Sequence, residues 1–236
     1  MEISPLALVL VATIYPFTLT KEAFMNKEER LSLFQEEIDL IPSSTFRELV
    51  STLLASAPDA FFHAPASSTG KYHPSYTLGE GGLVRHVKAA VRIGKSLLDA
   101  DVYRVYDPDF SCDPDSFKTV VISALILHDL YKFGLDADQF IPGVTHTEHS
   151  HPLIAGREIV QAANAMTANG RMSRDEYMLA HFVKEAVECH SGKFTYSPHS
   201  PVILPEPYFW HGWLVHICDY LASRRFIEVH LEGGIK

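Results

Sequence analysis

Disulfide chemistry has little material in this 236-residue chain, which holds three cysteines, Cys112, Cys189 and Cys218, with no CxxC spacing among them. An odd, scattered set argues against a disulfide scaffold or a zinc finger and for a reduced, cytoplasmic chain. Positive charge is in deficit: 20 Lys and Arg stand against 29 Asp and Glu, a formal net charge of −9. Affinity for long nucleic acid comes largely from counterion release by Lys and Arg, which argues against a broad cationic face but leaves room for a local basic pocket. Internal repeats and low-complexity tracts are missing, and 47% hydrophobic with 21% charged residues is ordinary globular usage. Disordered, collagen-like and coiled-coil chains are thereby set aside.

The apolar leader Leu6–Tyr15 (LALVLVATIY) falls short of the ~20 residues that a membrane helix needs. It follows Met1-Glu2 without Lys or Arg, and no small-x-small cleavage site follows it, so it is not read as a signal peptide. It reads as a strand or helix packed on the domain. A start at Met25, which would leave residues 1–24 untranslated, is the alternative. A chain of this length buries roughly 70–75% of its unfolded surface, enough for one large domain.

What is abundant is histidine, thirteen in all. Imidazole is the commonest protein metal ligand, so the count prompts a search for a site. Apolar spacing is helical almost everywhere after residue 27. Leu31, Phe34, Ile38 and Ile41 mark a first helical stretch, and Pro42-Ser43-Ser44 breaks it. Thr45 with Glu48 forms a capping-box pattern that opens a helix through Leu54. Residues 56–82, rich in Pro and Gly, read as irregular. A long amphipathic helix follows, from Leu83 to Leu98, with His86 on or beside its buried stripe. After a loop at 102–115, Val120 to Ile126 form an almost wholly apolar helix that ends in His128-Asp129 and carries both into the interior.

A further helix should start near Pro152, a residue suited to the first turn, and run to about Thr167. Ser173 with Glu176 caps the next, which ends at Cys189-His190 with Gly192 as its stop. The last spans about Trp210 to Val229 and carries Asp219. Strands have room only in the leader and in Val202–Leu204. The expected class is all-α.

Metal-type side chains thus stand at the ends or buried faces of five helices: His86, His128-Asp129, His151, His190 and Asp219. Burying a carboxylate without partners costs several kcal/mol, a cost that a divalent cation removes. Mixed imidazole and carboxylate donors suit Mn, Fe, Zn, Co or Ni, whereas an all-oxygen set suits Mg or Ca. Lys132 lies about one helical turn after Asp129, within reach of a phosphate bound beside it. The bland reading of Lys132 is a cation at a helix C-terminus. His216, three residues before Asp219, shares its helix face, which leaves a hydrogen bond behind the ligands open. The aromatic group Tyr208, Phe209, Trp210 and Trp213 reads by default as helix packing, and Cys189 and Cys218 as small buried hydrophobes.

The segments GGLVRHVKAA, ALILHDLYKFG, HSHPLIAG, ECHSGKF and HICDYLASRR, in this order, resemble those of the HD-domain metal-dependent phosphohydrolases, over about residues 60–228. The upstream FFHAPASSTGKYHPSYTLGEGGL is similar to the approach segment of the branch that includes HD-type exoribonucleases and phage-type HD proteins. The resemblance implies an HD-domain helical bundle at 56–236, with residues 1–55 an N-terminal extension whose helices pack on the core. It implies a minimal metal set of His86, His128, Asp129 and Asp219, with Asp129 bridging. His151 and His190 would complete a dinuclear centre, with His149 the alternative to His151.

The implied cofactor is two divalent transition ions, Mn or Fe first, then Zn, Co, Ni or Mg. The implied reaction is attack of a metal-activated hydroxide on phosphorus, with Lys132 of the HDxxK pattern binding phosphate. His73, Lys193 and Arg224 are further candidates for substrate binding, and leaving-group protonation is open among His73, Lys193 and a bound water. A small nucleotide is the expected substrate. Exonuclease-like cleavage of short single-stranded RNA or DNA is the runner-up, and a non-catalytic nucleotide sensor is the reading from another class. No membrane partner is expected, and a homo-oligomer is compatible with the sequence.

Overall fold

The computed structural model describes residues 25–67, 70–101, 112–142, 144–227 and 229. The leader at 1–24 lies outside them. Nine α-helices carry the described fold: α1 (Lys27–Ser32), α2 (Gln35–Asp39), α3 (Ser44–Ala55), α4 (Asp59–His63), α5 (Gly82–Asp99), α6 (Pro114–Leu127), α7 (His151–Ala168), α8 (Arg174–Glu188) and α9 (Trp210–Ala222). The class is all-α. Among the described residues no strand forms, so Val202–Leu204 is loop. There a single backbone bond, Leu204 N–H to the Thr195 carbonyl at 2.9 Å, closes a turn without a ladder.

α6 lies at the centre, because its sequence is apolar on every side. All of its residues from Thr119 to Leu127 are buried. Its start is fixed by Asp113, whose carboxylate accepts the Ser116 N–H, and by Pro114 in the first turn. α5, α8 and α9 pack against α6, α3 covers another side, and α7 lies along α8. α8 opens on a full capping box of Ser173 and Glu176, as the sequence predicts.

Four local features depart from the sequence reading. The first stretch is two short helices that break at Leu33-Phe34, which lets Phe34 turn fully into the core. The cap of α3 is Ser43, whose hydroxyl accepts from Phe46 N–H, while Glu48 pairs with Arg171. The segment 56–82 contains α4 and a 3-10 turn at Ser75–Thr77. The last helix stops at Ala222, well before Val229. There the Ser223 hydroxyl turns back onto the Tyr220 carbonyl, and Arg225 N–H leaves the helix to bond the Tyr72 carbonyl at 2.7 Å.

Two further contacts position α5, which carries His86. A Cβ at Gly82 would overlap the Thr77 carbonyl, so only glycine lets the approach loop cross the start of this helix so closely. Lys88, farther along α5, is buried with its ammonium 2.5 Å from Glu37 and 2.8 Å from the Leu33 carbonyl. This pair ties α2 to α5. No described helix is long and apolar enough to cross a membrane.

Candidate metal centre

Five elements deliver six side chains to one point. α5 contributes His86, the end of α6 His128 and Asp129, the start of α7 His151, the turn after α8 His190, and α9 Asp219. His86, His128, Asp129, His151 and His190 are all buried. Their ligand atoms form two groups, His86–His128–Asp129 and Asp129–His151–His190, within each of which all atoms lie within 4.8 Å of one another.

Asp129 belongs to both groups through different oxygens. Its Oδ2 lies 3.7 Å from His86 Nε2 and 3.6 Å from His128 Nε2. Its Oδ1 lies 3.1 Å from His151 Nε2 and 3.8 Å from His190 Nε2. Asp219 Oδ1 joins the first group at 2.9 Å from His86 Nε2 and 3.6 Å from His128 Nε2.

The donor set fits a cation. The Nδ1 atoms of His128, His151 and His190 lie 2.8, 2.6 and 2.8 Å from the carbonyls of Leu125, Glu148 and Val187, each three residues upstream. A carbonyl only accepts, so each Nδ1 carries a proton, and in the neutral imidazole each Nε2 presents a bare lone pair. Those lone pairs converge on a carboxylate, which accepts as well. His128 Nε2 and His151 Nε2 are buried without a hydrogen-bond partner. Acceptors facing acceptors in a buried place are costly unless a cation stands between them, and a backbone anchor on the far ring nitrogen is the usual support of a ligating histidine.

The electrostatics follow from the same contacts. Burial pushes the Asp129 carboxyl up, but Lys132, His128 and His151 outweigh it and hold the group well below the usual carboxylate range. Asp219 is likewise held low against its burial by His128 and His86. Burial, with His128 and His151 adding to it, pulls His190 down to about 3, so it is neutral at pH 7. His128 is the counter-case: burial pulls it down, and Asp129 and Asp219 raise it above the ordinary histidine value.

The other sequence candidates divide. Lys132 is brought in, with its ammonium 2.5 Å from Asp129 Oδ2. His73 stands at the edge, its ring centroid 5.7 Å from that of His86, and burial together with His86 and Lys132 pulls it to about 4. Arg224 stands over two tyrosine rings, its guanidinium carbon 4.2 Å from the Tyr220 ring centroid and 5.6 Å from that of Tyr72. Lys193 is not brought in. It is exposed, with its ammonium 5.6 Å from the Phe194 ring centroid. His149, the alternative to His151, turns away, its Nε2 lying 3.1 Å from the Val202 carbonyl and 3.3 Å from the Thr195 carbonyl.

Sequence reasoning missed the backbone anchors, although a histidine following a helix end at i+3 from a free carbonyl is their signal. It also missed Tyr72, which nothing in its own neighbourhood marks. Comparisons with protein-family models, with curated proteins and with solved structures find no match.

Proposed function

We propose that this chain is a metal-dependent phosphohydrolase of the HD-domain type, acting on a nucleotide-type substrate. The observation that carries the reading is Asp129, whose two oxygens each face a separate pair of histidine Nε2 atoms. His86, His128, Asp129 and Asp219 would hold one divalent ion, and Asp129, His151 and His190 a second. A bound pair supplies a water whose pKa falls towards ~7 and polarises phosphoryl oxygens. Mn or Fe suits this donor mixture, with Zn, Co and Ni next.

The chain's own residues supply the rest. The three backbone-anchored imidazoles stay in one tautomer and one orientation, so little reorganisation accompanies binding. Lys132 offers a positive charge against the cluster, which could take a phosphoryl oxygen and stabilise charge that develops on it. His73, neutral at pH 7, offers a hydrogen bond to the substrate and not a charge. Arg224 serves the part of the substrate that extends outward. The net charge of −9 favours a small substrate over a long polyanion.

The test is metal analysis of protein purified without chelators, followed by a panel of nucleotide mono-, di- and triphosphates assayed with Mn. Transition metal in the wild type, with hydrolysis lost in Asp129→Asn, supports the reading. Metal-free wild type, or Asp129→Asn with undiminished metal and turnover, overturns it. One observation favours the second reading, exonuclease-like cleavage of a short single strand: Tyr72, Tyr220 and Arg224 join aromatic faces and a cation at one rim, the combination that single strands use. A labelled oligonucleotide in the same panel decides between them. Binding of a nucleotide without turnover in metal-replete protein would point to a sensor.

A further inference from the structure

His216 lies on α9 one turn before Asp219, and it makes a contact that joins two ligand-bearing elements. Its Nδ1 donates to the backbone carbonyl of His190 at 2.8 Å. The ring lies directly on Gly192, where an added Cβ would overlap three ring atoms. Gly192 has φ +60°, and its N–H bonds the Cys189 carbonyl at 2.9 Å. Trp213 and Tyr220, one turn to either side on α9, flank the imidazole at centroid distances of 6.1 and 6.0 Å. The ring is therefore held by its own helix, and it holds the turn in which α8 ends.

That turn decides where His190 stands. The His190 side chain is anchored to the Val187 carbonyl, so its Nε2 moves with the backbone of 187–190. His216 bonds that backbone at the ligand residue itself.

We infer that His216 is a positioning residue for the second histidine pair, setting the affinity of the site made by Asp129, His151 and His190. This rests on the metal-centre reading above. The site of His86, His128, Asp129 and Asp219 keeps its own supports and is insensitive to the His216–His190 bond. A role in helix packing alone would lower stability and shift both sites together or neither.

The test is calorimetric titration of the metal-free full chain with Mn alone. Wild type is expected to show two binding steps. His216→Phe keeps a ring over Gly192 and removes the donor; it is expected to weaken one step by about 10–100-fold, the range for loss of a ligand's supporting bond, and to leave the other unchanged. His216→Asn returns an amide donor and is expected to restore much of the loss. Gly192→Ala keeps His216 but displaces its ring, and should reproduce the selective loss even if His216→Phe fails to fold. Two steps in wild type that stay unchanged in both His216→Phe and Gly192→Ala, or that weaken together, overturn the inference and leave the metal centre standing. A single step in wild type also overturns it. Absence of Mn binding in wild type overturns the metal-centre reading and the inference with it.

Discussion

The Lys132 ammonium lies 2.5 Å from Oδ2 of Asp129, the same oxygen that His86 and His128 face. A cation on the turn that follows the carboxylate is thus placed against the cluster without being part of its donor set. Replacing it with Met should leave the metal content per chain intact. Hydrolysis should fall by about 10²–10³ in kcat, the cost of removing one group that stabilises developing charge. Metal analysis beside steady-state kinetics checks this, and an unchanged kcat would refute it.

Asp129 is the one side chain common to both groups. Asp129→Ala should therefore strip the chain of both ions, whereas His151→Ala should remove only one. Metal content per chain, measured on both variants after identical purification, is the readout; equal losses would count against a shared carboxylate.

His149 bonds two loop carbonyls and turns away from the cluster. His149→Ala should keep full metal content while lowering stability by on the order of 1 kcal/mol, the net worth of such a hydrogen bond. A urea titration alongside metal analysis separates the two effects.

The Lys88–Glu37 pair is buried on both sides. Lys88→Met should cost about 3–5 kcal/mol, since it strands a buried carboxylate. Adding Glu37→Met should recover most of that loss. If the double variant is no more stable than the single one, the loss came from packing and not from an unpaired charge.

In metal-free protein, His190 has a folded-state pKa of about 3 against an ordinary 6.5. The unfolded chain then binds the extra proton between those values, so stability is present above 6.5 and is lost as pH falls towards 3. The free energy of unfolding from urea titrations in chelator should drop below pH 6.5 with a slope of up to about 1.4 kcal/mol per pH unit. His190→Gln should flatten that drop. The raised His128 acts in the opposite sense, its contribution fading only as pH rises above 6.5.

Helix starts were the most legible part of the sequence, because caps are local chemistry. Ser173 with Glu176 and the proline in the first turn of α7 are both where the pattern puts them. Helix ends were less so. α9 looks apolar and continuous to Val229, but it stops where Arg225 bonds Tyr72, a contact with a residue far away in the chain. The site shows the same division. His86, His128, Asp129, His151, His190 and Asp219 could be picked out because each breaks an apolar pattern at a helix end or stripe. Lys193 was a candidate from its loop beside His190, yet it lies on an exposed turn, and only the path of the chain after α8 decides which way that turn faces. The choice between His149 and His151 was also beyond local chemistry, since it depends on a second loop supplying the Thr195 and Val202 carbonyls.

The six converging side chains span residues 86 to 219 and come from five separate elements. No fragment shorter than residues 86–219 contains all six, so a cation that needs the whole set binds the folded state in preference to the unfolded one. By mass action such a ligand at 100 times its dissociation constant adds about 2.7 kcal/mol to the free energy of unfolding. Supply of the ion would then govern how long the chain survives proteolysis, quite apart from whether it turns over a substrate.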